Sequence, residues 1–427
     1  MASGKSSGIS PWRTVLGGWF NRSLFVLNLG LAAGMCLVYA APWLDPRWFA
    51  PLALVGFLYY PMLVGCLVMA MWWLIKVDTR ALLSLVVLCL GWQVHPHFWK
   101  WNLYGGPESV SWNAKEGQWN QPISGEAGDL RIMSYNVGHF TNKKDAAEWP
   151  INDIHAKDFL MQLMVDGKMD VVGFQDFITW NQDRSDILQR LQQHEATRNS
   201  SVVLLDARLR PSCINLSQSH TSSQSDRASA HRFQGLAIWT RGTILQYDYR
   251  SLGEFESATG LLQADIALGS DTVRVLNLHL ASNRISGREL KPVQSLDLQS
   301  DSSQRGIYQI FRKIAASARL RATQAEQVRR TVDTSPYPVI LTGDFNDLPY
   351  SYTLGQVGTR LRDSFVEAGY GLGNTYARGF PSFRIDHIMA GPGFTLKAHG
   401  VLRVPMSDHY PVVAVLGKEH VFLDRIR

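Results

Sequence analysis

The sequence predicts an α/β protein in two parts: an N-terminal helical transmembrane region, then a domain of two packed, mostly antiparallel sheets flanked by helices. Three observations lead there. The first hundred residues contain long runs without a formal charge. The remainder alternates strand-like apolar runs with amphipathic helical patterns. Acidic, amide and imidazole residues recur at the ends of those strand-like runs. A chain of 427 residues also exceeds one ordinary domain, and its composition changes near residue 100.

The helical region comes first. Ser23 to Leu44 gives 22 uncharged residues and Trp48 to Ile75 gives 28, each enough to cross a hydrocarbon layer of roughly 30 Å at about 1.5 Å per residue. Ala81 to Val94 adds only 14 and reaches a full crossing only if His95-Pro96-His97-Phe98-Trp99 joins it. Two or three spanning helices are therefore expected, at about 23–44, 48–75 and 81–99. The alternative is a buried helical hairpin of a soluble protein. Trp43, Trp48, Trp72, Trp73, Trp92, Trp99 and Trp101 crowd the block edges, where amphipathic rings favour the headgroup layer. Recurrent apolar blocks without a small-residue cleavage site argue against a removable leader. Lys5, Arg13 and Arg22 precede the first block, Arg47 alone separates the first two, and Lys76 and Arg80 separate the last two. Positive flanks stay in the cytoplasm. Three spans thus put everything after Trp101 outside, in the periplasm of a bacterial inner membrane; two spans would leave it in the cytoplasm. His95 and His97 read as a helix end rather than a metal site.

Lys100 to Asp129 is rich in Gly, Ser, Asn and Trp, lacks clear periodicity and reads as a linker (100–129) to a domain at 130–427. Strands are expected at Leu130–Val137, Met169–Phe174, Ser201–Leu205, Gly235–Thr240, Gly260–Ala267 and Thr272–Leu280, from alternating or continuous apolar residues. A helix is expected over Ala146–Val165. Ile307, Ile310, Ile314, Ala318, Ala325 and Val328 form the apolar stripe of a long amphipathic helix. Asp206–Arg232 and Ser282–Gln304 are polar and read as surface loops, the second carrying Arg284, Arg288 and Lys291 towards a cleft.

A net charge of +6 leaves no broad basic footprint for a nucleic acid. Of four cysteines, Cys36, Cys66 and Cys89 lie in apolar blocks and only Cys213 in the polar part, so no disulfide can form within the second domain and no Cys/His zinc spacing is present.

Six short motifs carry the chemistry: Ser134-Tyr135-Asn136-Val137, Gly173-Phe174-Gln175-Asp176, Asn277-Leu278-His279-Leu280, Gly343-Asp344-Phe345-Asn346-Asp347, Arg384-Ile385-Asp386-His387-Ile388 and Ser407-Asp408-His409-Tyr410-Pro411-Val412. In this order they resemble the endonuclease/exonuclease/phosphatase superfamily over about Leu130 to Leu416. That superfamily holds metal-dependent phosphohydrolases, among them DNase I-like nucleases, inositol polyphosphate phosphatases and neutral sphingomyelinases. The resemblance implies a four-layered α/β sandwich with its site at one end of the two sheets. Asp344 and Asn346 are two apart, which in an extended strand end puts both side chains on one side. By the resemblance, Asp344 activates the attacking water and His279 is a second phosphate-contacting histidine. His409 would contact phosphate with its ring oriented by Asp386, and Asn136, Asp176 and Asp408 would hold Mg²⁺, or Mn²⁺, as hard oxygen ligands. The chain departs from the family at Asp176, where Glu is usual. The carboxylate there is one methylene shorter, so the backbone must come closer or a water must bridge. Thr375-Tyr376 lies upstream of the Arg384 motif and is a candidate for the pocket wall. His139, His155, His194, His220 and His387 read as surface, loop or core residues.

The expected activity is hydrolysis of a phosphodiester or phosphomonoester by direct attack of water. Its expected partners are a lipid headgroup, nucleic acid or small-molecule ester as substrate, and the bilayer through the N-terminal helices. No specific protein partner is inferred. Two alternatives stand beside it: a nuclease on DNA or RNA, and a degenerate domain that binds a phosphorylated ligand or a protein without turnover.

Overall fold

In the computed structural model, which describes residues 11–101, 111–113, 118–121, 125–138, 153–180, 187–206, 208–217, 232–253, 259–285, 289, 301–377, 383–404 and 406–419, the first hundred residues are helical. Helix α1 is Pro11–Ala40, α2 Leu52–Val55, α3 Tyr59–Ile75, α4 Ala81–Leu90 and α5 His95–Phe98. Two stretches, Trp19–Trp43 and Ala53–Ile75, are long and apolar enough to cross a membrane. The third is not the continuous helix expected over 81–99. It stops at Leu90, because Gly91 and Pro96 do not sustain it and His95 accepts a different task. Its ring bonds Tyr59 Oη at 2.7 Å through Nδ1 and reaches the Leu88 carbonyl at 3.0 Å through Nε2.

Helices α1, α3 and α4 pack together around Met35, Val38, Tyr59, Cys66 and Val87. Inside, the buried Ser84 hydroxyl donates to the Asn28 amide oxygen at 2.7 Å, while Asn28 Nδ2 finds no partner among the described residues. The outward faces are different in kind. Val26, Leu29, Val64, Leu67, Met71 and Leu74 all stand exposed, an apolar surface that water would penalise.

After this bundle a two-stranded hairpin, β1 (Ser111–Asn113) with β2 (Gln118–Gln121), interrupts the stretch expected as linker. The strands of the larger domain then follow. They are β3 (Leu130–Asn136), β4 (Val171–Trp180), β5 (Ser201–Asp206), β6 (Pro211–Asn215), β7 (Arg232–Thr240), β8 (Thr243–Ser251), β9 (Gly260–Leu268), β10 (Asp271–His279), β11 (Val339–Asp344), β12 (Arg362–Asp363), β13 (Asp386–Ala390), β14 (Phe394–Val401) and β15 (Val412–Lys418). One sheet has seven strands in the order β14-β15-β3-β4-β7-β5-β6, the other six in the order β12-β13-β11-β10-β9-β8. Among the described strands, only β3 with β4 and β10 with β11 run parallel.

Helices cover both outer faces. Helix α6 (Asp153–Asp166) and α7 (Ile187–Gln193) lie on the first sheet, where Leu160, Leu163 and Leu191 meet Tyr135, Phe174 and Trp239. Helix α8 (Asp301–Asp333) and α9 (Tyr352–Val357) lie on the second, where Ala325, Val328 and Leu354 meet Leu276, Leu278 and Leu341. Between the sheets Ile132, Val171, Ile238, Val275, Ile340 and Val412 form the central core. The layers are therefore helix, sheet, sheet, helix, as the motifs implied.

Three further expectations change. Asp206–Arg232 is not simply a loop, because Pro211–Asn215 pairs with β5 as an edge strand, Cys213 opposite Val203. Half-buried Cys213 and Ile214 give that polar stretch enough apolar surface to pair. The helix expected over Ala146–Val165 begins at Asp153 in the described residues, and 139–152 lie outside them. Within Ser282–Gln304, α8 already starts at Asp301, and Arg288 and Lys291 lie outside the described residues.

The sheets approach each other most closely at Gly173, where an added Cβ would overlap Thr342 Oγ1 and lie 2.9 Å from Asn277 Oδ1. Gly173→Ala is expected to destabilise the domain by about 1 to 3 kcal/mol as these side chains are forced apart. A urea unfolding midpoint equal to wild type would show that the sheets can part there without strain.

Candidate active site

Along each central strand the side chains facing the opposite sheet change character in steps of two, the period of a strand. In β3 the series is Ile132, Ser134, Asn136; in β10 it is Val275, Asn277, His279; in β11 it is Ile340, Thr342, Asp344. Each begins in the apolar core, passes a buried hydrogen-bonding residue and ends in a group of the candidate site. Strand β13 runs the other way, Ile388 then Asp386, and brings Asp386 directly opposite Asp344.

The middle residues join the sheets. Gln175 Nε2 donates to Asn277 Oδ1 at 2.6 Å and to Ser134 Oγ at 3.3 Å. Asn277 Nδ2 donates to the carbonyls of Phe174 at 2.7 Å and Ala237 at 3.0 Å, and the Thr342 hydroxyl donates to Asn277 Oδ1 at 3.2 Å. All four side chains are buried. Sequence spacing assigns these residues no task; the only signal is a polar residue two positions before each site residue on an otherwise apolar face.

Above this bridge the site residues converge on Asp344. Asn136 Nδ2 donates to Asp344 Oδ2 at 3.1 Å, and the Nε2 atoms of His279 and His409 lie 3.5 and 3.7 Å from the same oxygen. Asp344 Oδ1 accepts the Asn346 backbone N–H at 2.8 Å. That contact uses a left-handed backbone at Asn346, φ 51°, which Asn tolerates better than most residues. The Asn346 side chain is turned to the Leu280 carbonyl at 3.1 Å. His409 Nδ1 meets Asp386 Oδ2 at 2.9 Å, while the Thr375 hydroxyl accepts the N–H groups of Ile385 and Asp386 at 3.0 and 3.1 Å. Tyr376 stands edge-on to the His409 ring at 5.3 Å. Thr375-Tyr376 therefore does line this wall. His387 does not join the site. It is buried against Asp363, with Nδ1 to Oδ2 at 2.8 Å.

Of the predicted ion-holding residues, Asn136 belongs to this cluster through its bond to Asp344, whereas Asp176 and Asp408 sit around it. Asp176 occupies a bulge in β4 with φ 48°, between the paired residues Phe174–Ala237 and Phe177–Gly235, and its carboxylate lies 3.5 Å from His279 Nδ1. Asp408 lies beside Gly138, where an added Cβ would come 3.6 Å from its Oδ1, and Ser407 Oγ donates to the Asn136 carbonyl at 2.8 Å. Among the described residues, the group of His, Cys, Asp or Glu close enough to share an ion is a different one, Asp344, Asp386 and His409, within 4.8 Å of one another. Asp386 is already engaged by the His409 imidazole, whose other nitrogen faces Asp344 at 3.7 Å as an ion pair rather than a hydrogen bond.

The electrostatics follow from burial. Asp344 is pushed up to about 6, first by burial and then by the neighbouring Asp386 carboxylate. Burial alone would lower His409, but Asp386 and Asp344 outweigh it and raise the imidazole to about 10. Four carboxylates, Asp176, Asp344, Asp386 and Asp408, thus face two imidazoles, an excess of negative charge even with both rings protonated. Buried Asp386 Oδ1 and His279 Nδ1 find no hydrogen-bond partner among the described residues. A hard divalent cation with a phosphate oxygen fits this donor set: all-oxygen ligands, surplus negative charge and two unpaired polar atoms.

The sequence profile described as the Endonuclease/Exonuclease/phosphatase family matches residues 133–409, and a profile described as a domain of unknown function (DUF8431) matches residues 21–98. Solved structures similar to this chain include an endonuclease/exonuclease/phosphatase from Bacteroides vulgatus, at 16% identity over 68% of this chain and 99% of that one, TM-score 0.45. A Bacteroides thetaiotaomicron mannosyl-6-phosphatase matches at 19% identity over 67% and 99%, TM-score 0.42. D. rerio TDP2 complexed with single-strand DNA product matches at 15% identity over 68% and 99%, TM-score 0.42. No curated protein matches by sequence.

The stability that His409 contributes has a definite sign. Its folded-state value is raised, so the contribution is complete below the unfolded value of about 6.5 and is lost as pH rises towards about 10. Asp386→Asn is expected to remove most of this, leaving a melting temperature that declines less between pH 7 and 10 than that of wild type. Parallel declines would show that Asp386 does not hold the charge on His409.

Proposed function

The chain belongs to the Endonuclease/Exonuclease/phosphatase family, and from that membership and the geometry around Asp344 we propose that it is a membrane-anchored, divalent-metal-dependent phosphohydrolase. The observation that carries the reading is the Asp344 carboxylate itself. One oxygen is fixed by the Asn346 N–H, the other faces Asn136, His279 and His409, and its pKa of about 6 suits a base working near neutral pH.

In this proposal Asp344 takes a proton from water as the water oxygen bonds to phosphorus and the ester P–O bond breaks. Asn346, its amide nitrogen tied to Leu280, presents its side-chain oxygen to the same water. His409, held as a cation by Asp386, donates from Nε2 to a phosphoryl oxygen, and His279 does so from the other side. Asn136, Asp176 and Asp408 would hold Mg²⁺, or Mn²⁺ in its place. When bound, the ion would supply Lewis-acid polarisation of the phosphoryl group and offset the carboxylate charge.

The N-terminal helices support a bilayer location through their exposed apolar faces. Contacts with the larger domain come from residues 41–58, between α1 and α3, and from residues 95–100, after α4. Pro42 packs on Gly355, Phe57 on Phe383 and His97 on Tyr350. Both segments thus share one side of the bundle, opposite Lys76 and Arg80, which supports an orientation with the catalytic domain outside. Alkaline phosphatase fused after residue 419 is expected to be active in cells, and an inactive fusion would place the domain in the cytoplasm.

Activity is tested with the full chain in lipid nanodiscs, with Mg²⁺, Mn²⁺ or EDTA. The substrates are bis-p-nitrophenyl phosphate, p-nitrophenyl phosphate, plasmid DNA and phospholipid vesicles. Metal-dependent hydrolysis is expected, with Asp344→Ala and His409→Ala each slowing turnover by about 10²-fold or more. The substrate pattern then separates lipid, nucleic-acid and small-ester activities. Hydrolysis that survives Asp344→Ala would sink the proposed base, and a folded, metal-binding protein silent on every ester would leave a binding module.

A further inference from the structure

The helical region and the candidate site share one buried residue. Arg384 is 1% exposed and its guanidinium reaches three elements at once. Nη1 donates to Asp363 Oδ2 at 2.6 Å and approaches His387 Nδ1 at 2.7 Å, and Nη2 donates to the His97 carbonyl of α5 at 3.0 Å. The Phe365 ring lies beneath it at 4.4 Å. Two residues further along the chain is Asp386, the partner of His409.

The surrounding contacts follow the same pattern. Among the segments of the catalytic domain that rest on the helical region, two carry site residues. One precedes β13: Phe383 packs edge-on to Phe57 at 5.2 Å, and Ile385 accepts the Phe345 N–H at 2.8 Å. The other follows β11: Leu348 fills the space beside Gly56, where an added Cβ would lie 2.6 Å from Leu348 Cδ1, and Tyr350 packs against His97 at 4.8 Å. Asn346 lies within that second segment. At the margin Arg47 bonds Glu326 of α8, and Lys100 donates to the Val366 and Glu367 carbonyls.

We propose that the N-terminal helical region is a structural part of the active site, with Arg384 as the positioning residue that couples them. The buried guanidinium has few acceptors to spare, since its Nε already finds no hydrogen-bond partner among the described residues. The His97 carbonyl is one of them, so displacing α5 leaves a buried donor unmatched and frees the Phe383–Asp386 segment. The register of Asp386 against His409 would loosen with it. Activity in this chain therefore depends on the helical region being present and seated, which the catalytic domain's own motifs do not require. The inference rests on the phosphohydrolase reading for its kinetic consequence, though not for its structural one.

The test leaves every site residue in place and loosens only the seam, with Phe57→Ala and the double variant Gly56→Leu/Phe57→Ala in the full chain in nanodiscs. The kcat on bis-p-nitrophenyl phosphate is expected to fall about ten- to a hundredfold at unchanged KM. Amide exchange should quicken in residues 345–348 and 383–387 and stay unchanged in 130–136 and 412–418. Arg384→Lys, which keeps the charge and loses the fork, should show the same pattern. Wild-type kcat with the seam loosened would overturn the coupling, and exchange raised throughout the domain would reduce the seam to general packing. A wild-type protein silent on the ester would instead count against the phosphohydrolase reading, while local exchange would still decide whether the seam holds these segments.

Discussion

The site depends on a buried hydrogen bond between the two sheets, from the Gln175 side chain to the Asn277 side chain at 2.6 Å. Asn136 and Asp176 come from one sheet, and His279, Asp344 and Asp386 from the other. Apolar packing alone holds sheets face to face but tolerates small slippage. A chain of directional bonds through Ser134, Gln175, Asn277 and Thr342, all shielded from water, does not. Every member lies within two residues of a site residue on its own strand, so the bridge sets the positions that the site requires. Gly173 is part of the same device, because its missing side chain lets Thr342 and Asn277 approach β4.

Burial gives the polar groups above that bridge their chemistry. In water Asp344 would be an ordinary carboxylate. Buried beside Asp386, it keeps its proton up to about pH 6, and once ionised it joins Asp386 in holding His409 charged. The two shifts are coupled through the charges of neighbouring groups, and each partner's state depends on the other's. A second buried system lies nearby. Burial would raise Asp363, but Arg384 and His387 more than offset it and keep the carboxyl well below its ordinary value. The first system carries an excess of negative charge, whereas the second is internally paired and has the character of a structural joint.

Much of this was legible in the sequence. The six motifs, their order and the strand-like runs beside them identify the sandwich and nearly all the polar residues that converge on Asp344. The long stripe from Ile307 to Val328 marks the helix that covers the second sheet. The two apolar stretches in residues 19–75 mark helices of membrane-crossing length. Less legible were the break after Leu90, where Gly91 and the His95 side chain end a helix that hydrophobicity alone would continue, and the edge strand at Pro211–Asn215, hidden in a polar stretch.

The sequence by itself determined residue chemistry and periodicity, because a strand turns alternate side chains to one face and a helix repeats every 3.6 residues. It therefore specified which groups could face a common cleft. Only the tertiary structure decided which of them meet. Asp386 lies opposite Asp344 because β13 runs antiparallel to β11 in one particular register. Asp176 reaches His279 because β4 bulges at that point. Arg384 bonds the His97 carbonyl across 287 positions of chain because the helical region folds back onto the loops of the catalytic domain. Register, bulges and long-range contacts are properties of the packed chain, set by the summed fit of many side chains, and no local pattern encodes them.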